Sequence, residues 1–211
     1  MNDLLSRIDH LIYGTPDLEA TIETLESQLG IRASAGGQHL GEGTRNALYS
    51  LGPQTYLEIL GPDPDQPKPD RPRWLGLDDL EEPHLVTWVA LSQDLEQLVQ
   101  VAAKNNVFLG PVLAGGRELP DGTKLSWHVT DPHVVVADGV VPFFIDWGAT
   151  PHPSQSAVTG LCLTGLRAEH PDPENTRNSL TAVGLELPVR QGPAPTLIAT
   201  LETPRGVIEL R

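Results

Sequence analysis

Residues 7–13 read RIDHLIY and residues 56–60 read YLEIL, and these two short segments are predicted to decide the fold. Both are apolar and rich in residues that favour strands, and each carries one ionisable side chain. Because successive side chains of a strand point to opposite faces, Ile8 and His10 are predicted to share a face of the first strand. If that face and the face carrying Glu58 line one concave sheet, an imidazole and a carboxylate meet in an apolar hollow.

The composition limits the classes of function. The chain has 211 residues, of which 39% are hydrophobic and 20% charged, as in an ordinary globular protein. Its formal net charge of -14 would repel phosphates, so we expect neither nucleic acid nor an anionic membrane as a partner. No apolar run approaches the roughly 20 residues that span a bilayer. We therefore expect a cytoplasmic protein, and the sequence leaves open whether it forms a homodimer.

The segment after the first strand predicts one helix. Thr15 is the predicted N-cap, with Pro16 at the first helical position. Leucine and isoleucine then recur at spacings of three and four through residues 18–29, which indicates a helix with one buried face. Gly30 is predicted to end the helix.

Four further segments complete this first unit, and the first of them is a short strand predicted at residues 31–34. Residues 36–46 contain four glycines, and we interpret them as a flexible loop that carries His39. Residues 47–51 and 55–60 are predicted to be strands joined by a turn at Gly52. The order of elements is therefore β-α-β-β-β.

The same order recurs along the chain, which indicates repeated supersecondary units. The predicted fold class is α+β, with βαβββ modules that form curved mixed β-sheets around a concave cleft and place their helices on the outer face. The predicted division is a first module at residues 1–62, a linker rich in proline and acidic residues at 63–83, a second module at 84–150 and a third, shorter module at 151–211.

Five motifs in order carry a resemblance to a known family. They are IDHLIY at residues 8–13, GGQH at 36–39 with GTRN at 43–46, YLE at 56–58, LSW at 125–127 and PFFIDWG at 142–148. Together they resemble the glyoxalase-like domain of the vicinal oxygen chelate superfamily over about residues 6–153. That superfamily includes isomerases, ring-cleaving dioxygenases, epimerases, thiol transferases and metal-free drug-binding proteins.

The resemblance implies a divalent metal ion, which can be iron, manganese, zinc or nickel. His10 and Glu58 match its two positions in the first module, and open coordination sites would let the ion act as a Lewis acid. The third ligand is open, with His39, His128 and Glu209 as candidates. Aligning Gly148 with Gly61 places Ile145 opposite Glu58, so that Asp146 is one residue out of register and its side chain should turn to the opposite face.

The candidate site residues fall into two groups besides the metal ligands. Glu58 and His39 are predicted to be catalytic, and the predicted substrate-binding residues are Thr44, Arg45, Asn46, Tyr56, Trp127 and Asp146. Structural interpretations are also open. His10 can be a hydrogen-bonded strand histidine, Glu58 can pair with His10 or Arg45, and Asp146 can form an internal ion pair with Arg117.

Two classes of function are open for a chain whose partner is a small organic molecule. The first is a metal-dependent enzyme of the isomerase, lyase or dioxygenase type. The second is a metal-free protein that binds or sequesters a small organic molecule in the same apolar, tryptophan-lined cleft.

Overall fold

The computed structural model describes residues 4–118, 122 and 124–211. Within them, three α-helices and twelve β-strands alternate in the predicted order. The bounds are β1 Ile8–Gly14, α1 Leu18–Leu29, β2 Ser34–His39, β3 Thr44–Gly52, β4 Thr55–Pro62, β5 His84–Leu91, α2 Leu95–Lys104, β6 Val112–Glu118, β7 Lys124–Thr130, β8 Phe143–Asp146, β9 Cys162–His170, α3 Pro173–Ala182, β10 Val189–Gln191, β11 Thr196–Thr203 and β12 Gly206–Leu210.

The first eight strands close into a barrel with the order β1-β4-β3-β2-β6-β7-β8-β5. Strands β1 and β4 are parallel, as are β5 and β8, and β1 runs antiparallel to β5. Two βαβββ units therefore complete one curved mixed sheet, which confirms the predicted α+β fold class. None of the helices in the described part of the chain has the length and apolar composition needed to cross a bilayer.

The remaining strands form a separate four-stranded sheet with the order β10-β9-β11-β12. This sheet packs beside the barrel through contacts of β9 with β3 and of β11 with β5. Glu209 lies here, on β12, where it forms ion pairs with Arg167 at 2.8 Å and Arg211 at 3.5 Å. The two barrel units thus share one interior, and the third unit lies outside it. The predicted module boundaries stay predictions.

The barrel wall separates two apolar cores. The outer core includes Leu11, Leu57 and Trp88, which pack with the buried faces of the helices. The inner core includes Ile12 and Ile145, which point into the barrel. Alternating side chains of one strand therefore serve both cores, as the period of two along a strand requires.

A β-bulge breaks this alternation at the start of β1. In the pairing with β5 the register shifts between Ile8 and His10. Ile8 consequently joins the outer core, whereas His10 faces the barrel interior. The prediction that these two side chains share a face is wrong, because one extra residue in a strand turns the next side chains to the opposite face.

The N-terminus of α1 also differs from the prediction. Asp17, not Thr15, is the N-cap, since its side chain accepts a hydrogen bond from the Ala20 amide at 3.1 Å. The helix ends as predicted at Gly30, whose φ of 81° lies in the left-handed region that favours glycine.

The glycine-rich segment is a hairpin and not a flexible loop. Strand β2 extends to His39 and strand β3 begins at Thr44, so that only the four residues between them form the turn. Gly36 is needed in β2 because a Cβ there would lie 1.9 Å from Asn46 Oδ1. Glycine here permits close approach of a neighbouring side chain, and His39 has a fixed position on a strand.

Candidate active site

A small cavity of about 30 Å³ lies inside the barrel. Its polar lining consists of His10, His39, Asn46, Glu58 and Arg117. Each of these side chains is at least nine-tenths buried, so their charges and hydrogen bonds act in a region of low dielectric constant. We call this space the inner cavity.

The rest of the inner cavity is apolar or aromatic. Ile145 and Phe143 of β8 face it from the second unit, and the rings of Tyr56, Trp74 and Trp127 close it on other sides. Trp74 comes from the segment between the two barrel units, and its ring contacts that of His39 edge-on with centroids 5.3 Å apart. The ionisable side chains of the inner cavity are therefore largely shielded from water.

His10 and Glu58 meet in the inner cavity. The Nε2 atom of His10 lies 3.4 Å from Glu58 Oε2, and its Nδ1 atom is hydrogen-bonded to Asp9 Oδ1 at 2.6 Å. A hydrogen bond to a carboxylate fixes the proton of a histidine on that nitrogen. The lone pair on Nε2 of a neutral His10 then faces the Glu58 carboxylate.

Asp9 holds three side chains in place although it is completely buried. Its Oδ2 atom accepts a hydrogen bond from Trp147 Nε1 at 2.9 Å and lies 3.1 Å from His152 Nε2. Burial by itself raises the pKa of Asp9, but hydrogen bonds and charge interactions with His10 and His152 outweigh it and lower the pKa below its usual value. Asp9 is therefore an anion that orients His10.

The other oxygen of Glu58 has different neighbours. Asn46 Nδ2 donates a short hydrogen bond to Glu58 Oε1, and His39 Nε2 lies 3.8 Å from the same atom. Burial lowers the pKa of His39 to about 4, with the Arg117 charge as a smaller cause in the same direction and the Glu58 charge opposing it. His39 is therefore neutral near pH 7.

A second set of contacts holds Asn46. Its Oδ1 atom accepts hydrogen bonds from the Gly37 amide at 2.7 Å and from Arg117 Nη1 at 3.0 Å. The hairpin and the second unit thus fix the amide that orients Glu58. Arg117 reaches this position from β6, across the seam between β2 and β6.

Tyr56 covers one face of the histidine. Its ring stacks on the ring of His10 with centroids 4.4 Å apart. Burial raises the pKa of Tyr56 well above its usual value, so that its phenol stays neutral. The stack restricts rotation of the imidazole and leaves Nε2 directed at Glu58.

A family model described as a glyoxalase-like domain matches residues 8–184. This range includes all eight barrel strands and the polar side chains that line the inner cavity. The chain belongs to the glyoxalase-like domain family. The match confirms the resemblance to the vicinal oxygen chelate superfamily that the five sequence motifs indicated.

Solved structures are also similar to this chain. A hypothetical protein from Staphylococcus aureus has a TM-score of 0.64 and 14% sequence identity, over 96% of this chain and 84% of that chain. A methylmalonyl-CoA epimerase from Mycobacterium tuberculosis has a TM-score of 0.43 and 17% identity, over 74% and 95% of the two chains. A methylmalonyl-CoA epimerase from Streptomyces coelicolor has a TM-score of 0.43 and 22% identity, over 70% and 98%. A comparison with curated proteins gives no match.

Several residues predicted from the sequence come together in this glyoxalase-like site. The inner cavity contains His10, His39, Asn46, Tyr56, Glu58 and Trp127. Thr44 is fully buried behind them, where its Oγ1 atom lies 3.1 Å from His39 Nδ1 and so positions that imidazole.

Arg45 and Asp146 lie outside the inner cavity. Arg45 pairs with Glu19 of α1 at 3.3 Å on the outer side of the barrel. Asp146 accepts a hydrogen bond from the Gly148 amide in an outer groove of about 790 Å³, whereas Ile145 faces inward as its register predicted. The alternative ion pair between Asp146 and Arg117 does not form in the described structure.

The outer groove is larger than the inner cavity, yet it contains none of His10, His39 and Glu58. Its lining includes His128, one of the candidates for a third metal ligand, which is exposed on β7. We place the candidate site in the inner cavity because buried polar groups converge there and each has a partner that fixes its direction.

The donor atoms fit part of a metal site. Two ligand atoms that are each about 2.1 Å from a tetrahedral ion lie about 3.4 Å apart, and His10 Nε2 and Glu58 Oε2 have this separation. Asp9 supports His10 from behind, as an outer carboxylate does for many metal-bound histidines. Among the described residues, however, no group of three or more histidine, cysteine or acidic side chains is placed to hold an ion. The remaining positions would belong to water or substrate.

Three residues at the candidate site have no clear signal in the sequence. Asp9 precedes His10 and would point away from it in a regular strand, and only the bulge brings the two side chains together. Trp74 belongs to the segment interpreted as a linker, and Arg117 was assigned to an ion pair. The alternation of a β-strand indicates which side chains share a face, but it gives no information on bulges or on contacts across the barrel.

Proposed function

We propose that this glyoxalase-like protein is an enzyme of the isomerase or lyase type. It moves a proton at a carbon atom next to a carbonyl group of a small organic molecule inside the inner cavity. The observation that supports this most strongly is the 3.4 Å separation of His10 Nε2 and Glu58 Oε2. Two acceptor atoms at this distance repel each other unless a proton or a metal ion lies between them. The pair is therefore suited to binding one or the other.

We further propose that His10 and Glu58 hold the divalent metal ion, which can be iron, manganese, zinc or nickel. Imidazole and carboxylate ligands suit all four ions. When bound, the ion supplies a Lewis acid that stabilises negative charge on a substrate oxygen. The remaining steps belong to side chains of this protein.

The two oxygens of Glu58 have different roles in this proposal. Oε2 faces His10, whereas Oε1 faces Asn46 and His39. One oxygen is available to an ion while the other accepts the proton from the substrate carbon. Because His39 is neutral near pH 7, it can donate or accept a hydrogen bond there without adding a charge.

The substrate-binding residues surround this pair. Tyr56 and Trp127 form the aromatic wall, and Asn46 holds the carboxylate in one orientation. Thr44 acts through His39. Substrate contacts by Arg45 and Asp146, which lie outside the inner cavity, stay predictions.

Metal binding is tested on purified protein that a chelator has stripped of ions. Iron(II), manganese, zinc and nickel are offered in turn, and bound metal is measured per chain together with the melting temperature. We expect one ion per chain, and affinities at least about tenfold lower for His10→Ala and Glu58→Gln. The control is His84→Ala, at an exposed histidine outside the site. If no ion is retained and no ion changes the melting temperature, the metal form of the proposal is wrong.

Proton transfer has its own test. Small 2-oxo and 2-hydroxy acids, esters and thioesters are incubated with the protein in deuterated water, and loss of the proton next to the carbonyl group is followed by NMR. We expect exchange with wild type and His84→Ala and a loss of about a hundredfold or more with Glu58→Gln. Oxygen uptake without exchange would instead indicate the dioxygenase type.

A metal-free binding protein is the second candidate. It is favoured by the apolar residues Phe143 and Ile145, which line the inner cavity together with the polar groups. Tight binding of a small organic molecule with no metal uptake, no proton exchange and no oxygen uptake would support this alternative.

A further inference from the structure

Within the part of the chain that the structure describes, two buried hydrogen-bond donors of the inner cavity have no acceptor. They are Nε of Arg117 and Nε1 of Trp74, and both atoms are shielded from solvent. A buried donor without an acceptor costs free energy, and nearly all such groups in proteins are satisfied. Both side chains line the space that contains Glu58, so that a bound molecule is placed to supply the acceptors.

The charge of Arg117 indicates the kind of acceptor. Its side chain is 5% exposed, and its Nη1 atom donates to the neutral oxygen of Asn46 at 3.0 Å. Among the described residues, no carboxylate forms an ion pair with this guanidinium. A buried cation is normally paired with an anion, and the acceptor is therefore expected to be negatively charged.

The number of free donors selects among anions. An indole nitrogen donates one hydrogen bond, and the free Nε of Arg117 donates one more. Two donors match the two oxygens of a carboxylate, and a guanidinium is well suited to binding it. A phosphate group is bulkier than a carboxylate and fits less well in a cavity of about 30 Å³.

The space around the donors limits the size of the molecule. The inner cavity has a volume of only about 30 Å³. A neighbouring pocket of about 140 Å³, which is separate from the outer groove, lies beside the β2–β3 turn and is called the outer pocket. Of the described residues, His39, Trp74, Trp127 and Val129 line both spaces. Drug-sized ligands occupy about 300 Å³ or more. A carboxylate in the inner cavity with a short carbon chain directed to the outer pocket fits these volumes.

We propose that Arg117 and Trp74 form a carboxylate-binding subsite, so that the substrates of this protein are short-chain organic acids. This inference rests on the proposed function, because it adds the substrate class to the same cavity. Trp74 Nε1 and Arg117 Nε each donate a hydrogen bond to the carboxylate. The acid is thereby bound in the cavity that also contains Glu58.

Binding is tested with pyruvate and lactate, using pyruvamide, lactamide and inorganic phosphate as comparisons. Calorimetry and tryptophan fluorescence give the affinities, and no turnover is needed. We expect both acids to bind wild type at least about tenfold more tightly than the amides or phosphate, as expected for a charge-assisted pair in a buried site. Equal affinity for acids and amides, tighter binding of phosphate, or no binding of either acid would overturn the proposal.

Two variants separate the donors from the general shape of the cavity. Trp74→Phe keeps an aromatic ring and removes only the N–H group, so we expect affinity for the acids to fall about fivefold. Arg117→Met keeps the length of the side chain and should abolish the preference for acids over amides. Arg205→Met, at an exposed arginine, is the matched control and should bind as wild type does. If both cavity variants keep the preference, the subsite is refuted.

The Glu58→Gln variant distinguishes this inference from the proposed function. It removes the predicted base and leaves both donors in place. We expect it to bind pyruvate with the preference intact while proton exchange is lost. Acid binding by wild type without proton exchange would refute the proposed function alone, whereas exchange on neutral substrates only would refute the subsite alone.

Discussion

His39 makes the free energy of unfolding depend on pH. Its pKa is lowered from 6.5 to about 4 in the folded protein by burial, whereas the unfolded chain keeps the ordinary value. Between these two values the unfolded state binds a proton that the folded state does not, so stability is lost as pH falls. Each pH unit inside this window costs about 1.4 kcal/mol. Lowering the pH from about 7.5 to about 4.5 should therefore remove roughly 2.5 kcal/mol through His39 alone.

The assay is urea denaturation of metal-free protein at several pH values between these limits. Other groups titrate in the same range, so the measured quantity is the difference between wild type and His39→Gln, which cannot titrate there. We expect the variant to lose roughly 2.5 kcal/mol less than wild type over this range. His84→Gln, at an exposed histidine, should follow wild type. Parallel pH dependences of wild type and His39→Gln would refute the reasoning, because they would mean that His39 is protonated as easily in the folded state.

Two further predictions concern groups that orient the site. Asp9→Asn replaces a buried anion with an amide, whose N–H2 group then faces one of the donors that Asp9 binds. We expect the free energy of unfolding in urea to fall by about 3–5 kcal/mol. Metal affinity should fall at least about tenfold. Unchanged values would contradict the role of Asp9. Gly36→Ala places a Cβ 1.9 Å from Asn46 Oδ1 and should cost about 1–3 kcal/mol. Gly165→Ala, whose Cβ would have only ordinary contacts, is the control, and equal stabilities of the two variants would count against this account.

The sequence predicted the faces of regular strands well. Alternation along β4 placed Glu58 in the barrel interior, and counting along β8 placed Ile145 opposite it and turned Asp146 outward. These inferences hold because side chains alternate between the two faces of a regular strand, so that the face of each residue follows from its neighbours in the sequence alone. The helix stripe over residues 18–29 predicted α1 for the same reason, since burial of one helix face repeats every 3.6 residues.

Irregular backbone was predicted poorly. The bulge next to Asp9 moves Ile8 into the outer core, and no composition rule marks its place. The glycines of residues 36–46 indicated a loop, because glycine is common in turns. In the structure, Gly36 instead makes room for Asn46 in a paired strand. One residue type thus has two physical uses that a single sequence does not distinguish.

Contacts between segments that are distant in the sequence were also predicted poorly. Trp74 returns from the segment between the units to cover the inner cavity, and Arg117 crosses the seam between β2 and β6. Both contacts depend on closure of the barrel. Closure results from the pairing of eight strands, and no local sequence pattern indicates it. Residues that act together at this site are therefore far apart in the sequence.

The closed barrel gives the two units different parts of one site. The first unit supplies His10 and Glu58, the residues of the proposed metal binding and proton transfer, whereas the second supplies the apolar residues Phe143 and Ile145. An apolar wall strengthens every charge interaction beside it, because there is little water to weaken the field. The same wall makes an unpaired charge costly, which is why we infer an anion beside Arg117. Glu58 of the first unit and Arg117 of the second thus line one cavity, and the proposed proton transfer and the proposed acid binding each depend on a different unit.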